Sequence, residues 1–557
     1  MIAVFFLALA LRLGFVLTTT SAPLVGHLIG DAAAYDAWAR RIVHGEWLGT
    51  EAFYQAPLYP YVLAVVKLLI GDGVSPIRVV QAVWGSLAVV LLTAATGRRF
   101  GRRAGVVAGV LFATYAPAVF FDGIVQKTSL ASLLLCALMF LMAHCASRRG
   151  AWRRFLVGAA LGLLCLAREN ALVWMPVVGA WIVADGGDRN VASRARAAAA
   201  FVIGLAVILV PVGARNALVG GEWSLTTFQS GPNFYIGNNL EADGRYRPLV
   251  RGHESPEFER RDATELAQRA TGRSLSAGEV SAYWMRRALD DIRASPMRWV
   301  RLMALKTAMV FNAYEVADAE SIYVDSSGAR WLARCHRVWH FGVLVPLAAM
   351  GWMQTRSMRR RLYVDYAMIV AMAGSVAAFY VLARYRYPLA PLLMPFAAAG
   401  CVGAWDRVRH RAFRALAQSV ALAGLVAIAV NWPVHDTERL NAMAELNVGV
   451  ALARAGDLTR ATEAFERAVR GHPESAEANN NLAQALALRG DYGRAVEHYE
   501  RALHAARTLA GVDYNLAVAQ EQLGQRDAAL RRYERALQLD PSDEDARRAI
   551  ARLRDGD

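Results

Sequence analysis

Asp31 is a carboxylate in a setting suited to chemistry. It opens the run Gly30-Asp31-Ala32-Ala33-Ala34-Tyr35-Asp36-Ala37-Trp38-Ala39, just after a long apolar stretch. A carboxylate at a membrane–water boundary can take a proton from an acceptor hydroxyl or amine. An Asp there also caps the helix that follows, and the residues alone leave both readings open. Asp36 lies about one turn further on. The two carboxylates can share a helix face, where they could raise one pKa or help bind a divalent cation. A cap with a solvated neighbour is the plainer alternative. Late in the chain, Arg384 and Arg386 stand two apart in Arg-Tyr-Arg-Tyr-Pro (384–388). That spacing is natural in a short loop between two spans, and such arginines can simply snorkel to lipid headgroups. His336 and His340 have i, i+4 spacing, but no Glu completes an HExxH pattern and an apolar span begins there, so they read as structural. No Gly-rich phosphate loop is present, and ATP-driven transport has no support.

The elements around these residues are membrane elements. The chain has 557 residues, of which 55% are hydrophobic and only 20% charged. Its mean hydropathy is +0.25. Long apolar runs at that composition indicate a membrane protein. The net charge of +15 is uneven: residues 442–557 hold 16 Arg against 19 Asp and Glu, a net −3, so residues 1–441 carry +18. Positive charge concentrated among the spans reflects loop orientation, and no nucleic-acid partner is implied. The five cysteines form no CxxC or metal-spaced set, so neither a disulfide framework nor a zinc site is expected.

Eleven spans are predicted, at 2–20, 78–97, 104–121, 127–146, 152–167, 171–184, 197–213, 336–353, 362–382, 387–404 and 413–431. The pair 152–167 and 171–184 is short, a tight hairpin or one broken helix. The first segment lacks a basic n-region and contains Arg12, so it reads as a span rather than a cleaved signal. Five basic clusters fix orientation: Arg98 to Arg103, Arg148 to Arg154, Arg189 to Arg196, Arg356 to Arg361, and Arg407 to Arg414. All fall on one face, the cytoplasmic one, if 297–313 is a surface or bundle-packed helix and not a span. Loops 21–77 and 214–335, the latter expected as a mixed region, with everything after 432, then face outwards.

The C-terminal part repeats. Gly456, Gly490 and Gly524 are each 34 residues apart, as are Ala461, Ala495 and Ala529, and Phe465, Tyr499 and Tyr533. A 34-residue period with small and aromatic residues in phase is the tetratricopeptide pattern. Three repeats are expected at 442–475, 476–509 and 510–543, after a linker at 433–441 and before a capping helix. Pro473 and Pro541 end their repeats, whereas the second has Arg507 there. The resemblance implies a groove for a peptide or protein partner.

The D-x3-Y-x3-A pattern after span one resembles the GT-C superfamily. So do the aromatic-flanked Pro57-Leu58-Tyr59-Pro60 and the Arg-Tyr-Arg-Tyr-Pro run. The similarity is to bacterial members akin to protein O-mannosyltransferases and aminoarabinose transferases, over about residues 1–432. Gly231-Pro232-Asn233-Phe234-Tyr235-Ile236-Gly237-Asn238-Asn239 resembles a further motif of that group. Two departures stand out. Gln55 occupies a region where aminoarabinose transferases have an acidic residue and a Lys, and Ala32 follows Asp31 where protein mannosyltransferases have Glu. A phosphate contact from that loop, mannosyl specificity and a protein acceptor therefore do not follow.

The resemblance implies an all-helical polytopic domain that moves a sugar from a polyprenyl-phosphate donor to an extracytoplasmic acceptor, at the outer face of a bacterial cytoplasmic membrane. Asp31 would be the general base. Arg384 and Arg386, then Lys306 and Arg168, would hold the donor phosphate, and Tyr35, Asp36, Tyr54, Gln55 and Tyr59 would line the substrate pocket. No metal is demanded, although a divalent cation with Asp31 and Asp36 fits. The repeats would recruit an acceptor or an envelope partner. The alternatives are a non-catalytic tetratricopeptide scaffold and a polyprenyl-linked glycan ligase or polymerase, whose key residues lie in a large late loop that this chain lacks.

Overall fold

The computed structural model describes residues 1–147, 150–184, 190–250, 253, 256–324, 328–506 and 511–555. Arg148, Arg149, Arg189 and Arg507, used above for orientation and for the repeats, lie outside the described residues. Among the described residues all regular structure is helical, in 214–335 as elsewhere, so the mixed region expected there is instead a set of helices joined by loops. The chain divides into two units. One comprises Met1–Thr20, Gly30–Asp318 and Ser326–Val434; the other comprises Ser21–Ile29, Ala319–Asp325 and His435–Asp557.

In the first unit, helices occupy all eleven expected positions, but among the described residues fewer than eleven are long and apolar enough to cross a membrane, so eleven spans are not confirmed. Five are long and apolar enough to cross a membrane: Val74–Phe100, Lys127–Ala146, Val191–Gly220, Leu389–Arg409 and Phe413–Val430. Joining bent pairs raises the number to as many as seven, one pair being Arg102–Thr114 with Ala116–Gly123, bent by 55°. Local breaks shorten the others. Tyr115 is extended ahead of Pro117 and ends the Arg102–Thr114 helix. Arg168 is extended (φ −152°) and leads into a 3-10 turn at Glu169–Val173, which leaves Trp174–Ala184 with 11 residues. The expected hairpin or broken helix is thus a true break, with two charged residues at it. The stretch read as outer loop 21–77 contains an apolar helix, Leu58–Ile70. Segment 297–313 is the helix Pro296–Phe311, 16 residues long and carrying Arg298, Arg301 and Lys306.

The Gly231–Asn239 motif forms the helix Ser230–Asn238. A Cβ on Gly231 would lie 1.9 Å from the Ser281 carbonyl oxygen, and one on Gly237 2.3 Å from that of Phe379. These glycines allow close backbone approach, which explains their spacing without invoking a ligand.

In the second unit each expected repeat is a helix pair: Thr437–Arg454 with Leu458–Gly471, Ala476–Leu488 with Tyr492–Ala505, and Val512–Gln522 with Arg526–Leu539. Glu544–Asp555 follows as the cap. Helix begins at Thr437, inside the expected linker, because the Asp436 carboxylate caps it through the Arg439 amide at 3.1 Å. Gly456, Gly490 and Gly524 all have φ between 74° and 82°. That left-handed turn explains why this position repeats as Gly.

Candidate functional site

The site is assembled in the first unit from chain segments far apart in sequence. Ala383–Arg386 forms a single helical turn behind the extended Leu382. It presents Arg384, whose two terminal nitrogens go to two carboxylates: one pairs with Asp31 Oδ2, the other with Asp318 Oδ2 at 2.7 Å. Asp31 sits in the first turn of the Gly30–Val43 helix, where the helix dipole favours its charge. Its Oδ1 accepts a hydrogen bond from Gln55 Nε2 at 3.0 Å. Both carboxylate oxygens are therefore engaged by groups outside that helix. Burial alone would raise the Asp31 pKa, but Arg384 and Lys127, with the hydrogen bonds from Arg384 and Gln55, hold it below the usual range.

Further cations gather beside Arg384. Its Cζ lies 4.9 Å from the Tyr385 ring centroid, and that of Arg168 lies 6.0 Å from the same ring. Arg168 is buried and donates to Thr128 Oγ1 at 3.3 Å. The Nε atoms of Arg168 and Arg384 have no hydrogen-bond partner among the described residues. Lys127, at the start of its span, pairs with Glu169 at 3.3 Å and lies 5.9 Å from the Tyr35 ring centroid. Gln229 donates to the other Glu169 oxygen at 2.6 Å. A small pocket at Arg168 is lined by polar residues, Thr128 and Ser132 among them, as well as by Ala131, Leu135, Leu164 and Trp174.

The aromatic candidates fall around this cluster. Tyr35 is fully buried, packs edge-on against Tyr59 at 5.4 Å, and its hydroxyl is unpartnered among the described residues. Tyr59 donates to Gln81 Oε1 at 2.6 Å. Tyr54 donates to Glu259 Oε1 at 3.4 Å. Burial, followed by the Asp31 charge, pushes the Glu259 pKa up to about 7.

Three expected residues are placed elsewhere. Asp36 is directed to Lys67 (2.6 Å) and Arg40 (2.8 Å), so the two early carboxylates have different cationic partners. Arg386 is held by Glu315 at 3.0 Å and by the carbonyls of Met309, Val310, Asn312 and Tyr314. Lys306 is fully buried and donates to Asn238 Oδ1 at 3.1 Å. Burial brings its ammonium down to about 7. Among the described residues no three His, Cys, Asp or Glu side chains are grouped to hold a metal ion.

Sequence reasoning missed Lys127, Glu169, Asp318 and Glu259. Lys127 carried a signal, being one of only three lysines and standing at the mouth of a span. Asp318 and Glu259 lie in a long loop region with no motif around them.

Residues 54–213 match the family described as dolichyl-phosphate-mannose-protein mannosyltransferase. Residues 446–510 and 486–553 match tetratricopeptide repeat families. The chain thus carries a segment similar to that glycosyltransferase family and, C-terminally, tetratricopeptide repeats. The GT-C match ends before Asp318 and Arg384 and begins after Asp31, so the central ion pairs come from outside the matched segment. No curated protein matches this chain. Among solved structures, ArnT from Cupriavidus metallidurans bound to undecaprenyl phosphate is 16% identical, with 96% of this chain and 80% of that one covered and a TM-score of 0.43. The apo oligosaccharyltransferase of Archaeoglobus fulgidus is also 16% identical, covering 78% of this chain and 55% of that one, TM-score 0.44. The Arabidopsis OM64 tetratricopeptide domain is 19% identical, covering 22% of this chain and 99% of that one, TM-score 0.21.

Proposed function

We propose that this GT-C protein transfers a sugar from a polyprenyl-phosphate donor to an acceptor at the outer face of a bacterial cytoplasmic membrane. The observation that carries the reading is the convergence of Arg384, Arg168 and Lys127 beside Asp31. A phosphate leaving group carries two charges, and a buried cradle of cations stabilises it as the glycosidic bond breaks. The family description, which names a dolichyl-phosphate sugar, points to the same donor class.

In this reading the donor phosphate takes Arg384 away from its carboxylates, with Arg168 and Lys127 completing the cradle. Asp31, released from Arg384, accepts the acceptor proton as the acceptor oxygen or nitrogen bonds to the anomeric carbon. The electron pair of the broken carbon–oxygen bond stays on the phosphate, and the sugar inverts. Tyr35, Tyr54, Gln55 and Tyr59 line the sugar side. Arg386 and Lys306 act as packing groups. The repeats recruit an acceptor or an envelope partner.

The test is transfer from radiolabelled polyprenyl-phosphate sugars in membranes holding the wild type. Sugar release or transfer above empty membranes supports the reading; no turnover of any donor overturns it.

A further inference from the structure

The second unit is not built from the repeats alone. Two short segments, Ser21–Ile29 and Ala319–Asp325, belong to it. Leu24 is buried in its hydrophobic core with Val448, Leu452 and Leu482, and Ile29 and Val324 pack against the same core. The side chain of Asn447, on the first repeat helix, donates to the Ala319 carbonyl at 3.1 Å. An Asn that reads a main-chain carbonyl, beside an apolar surface that takes Leu, Ile and Val, is the chemistry of a peptide-docking face.

The two docked segments are set apart by what stands next to them in the chain. Ile29 is followed by Gly30 and Asp31, and Ala319 is preceded by Asp318. Asp31 and Asp318 are the two carboxylates that share Arg384.

We propose that the first repeat is a docking face whose occupant is the chain's own pair of segments, 21–29 and 319–324, and that holding them fixes the backbone entry to Asp31 and Asp318. The face is thereby committed to an internal peptide, and an external partner must use the later repeats or displace these segments. Asp31 and Asp318 are then positioned groups, and Leu24 and Asn447 are positioning residues. The effect on turnover rests on the transferase reading; the docking itself does not.

Amide hydrogen exchange on the full chain in detergent tests the docking, using the wild type, Asn447→Ala and Leu24→Asp. The expected result is protection of 21–29 and 319–324 in the wild type. Losing one hydrogen bond in Asn447→Ala speeds exchange of both segments together by about fivefold, while the repeat helices stay protected. Leu24→Asp exposes them further. Wild-type segments that exchange as fast as those of the variants overturn the proposal. Should Leu24→Asp lose protection in the repeat helices as well, Asn447→Ala alone decides. Donor turnover separates the second half: kcat falls in Asn447→Ala while donor KM stays near wild type. Freed segments with unchanged kcat refute the positioning role. Freed segments in a protein whose wild type turns over no donor keep the docking and sink the transferase reading instead.

Discussion

Arg384 reaches Asp31 across 353 residues of chain, and its other terminal nitrogen holds Asp318 at 2.7 Å. One guanidinium thus offsets one buried carboxylate, Asp31, and one half-buried carboxylate, Asp318. An anion that takes either terminal nitrogen of Arg384 must compete with the carboxylate already there.

Arg384→Ala leaves two carboxylates without their shared cation. Removing one partner of a buried pair costs about 3–5 kcal/mol. The variant is expected to melt well below wild type in detergent and to lose donor turnover. Arg384→Lys keeps one charge but not the fork, so it recovers stability better than turnover. A full recovery of turnover by Lys contradicts the bridging geometry.

Lys127 and Lys306 separate by role. Lys127 stands among the site charges, whereas Lys306 bonds Asn238. Lys127→Gln is expected to raise donor KM by about tenfold, the effect of one charge-assisted contact. Lys306→Met leaves donor KM within about twofold, because a near-neutral buried amine is replaced by an apolar side chain of similar length. Steady-state kinetics at varied donor concentration checks both.

Arg386 is a structural clamp on the segment 309–315. Arg386→Ala removes the cation beside the buried Glu315 and the donor shared by four carbonyls, so expression and melting temperature fall. The folded fraction keeps the wild-type donor KM. A selective rise in KM with normal stability refutes this assignment.

Glu259 gives a pH signature. Its folded pKa, about 7, lies above the ordinary value of 4.5, mainly through burial. The folded state therefore binds the proton more tightly than the unfolded state between these values. Its stability contribution is present below about 4.5 and is lost as pH rises through 7. Melting temperature of the wild type should decline relative to Glu259→Gln over that window and run parallel above it. Tyr54→Phe removes a hydrogen bond that favours the charged form, raises the folded pKa further and extends the decline to higher pH.

The helical architecture and the repeats were readable because period and hydropathy are local properties. Gly456, Gly490 and Gly524 announce left-handed turns at a fixed interval, and apolar runs announce membrane helices. The number of full spans was not, because breaks such as Arg168 interrupt helices without interrupting hydropathy. Asp31 and Arg384 could be singled out by type and position, but their partnership is tertiary. Arg386, two residues away, carries the same local signal and has a different role, decided by Glu315 and a ring of carbonyls. Asp318 and Glu259 had no pattern to mark them, since their place depends on how a long loop region returns to the bundle.

The most direct test of the account is the kinetics of Asp31→Asn with a radiolabelled polyprenyl-phosphate sugar that the wild type turns over. The amide keeps size and hydrogen bonding but cannot accept the acceptor proton. The account predicts that kcat falls by about 10² or more, the usual worth of a general base, while donor KM stays near wild type. Turnover that survives the substitution contradicts it and makes Asp31 a partner of Arg384 and nothing more.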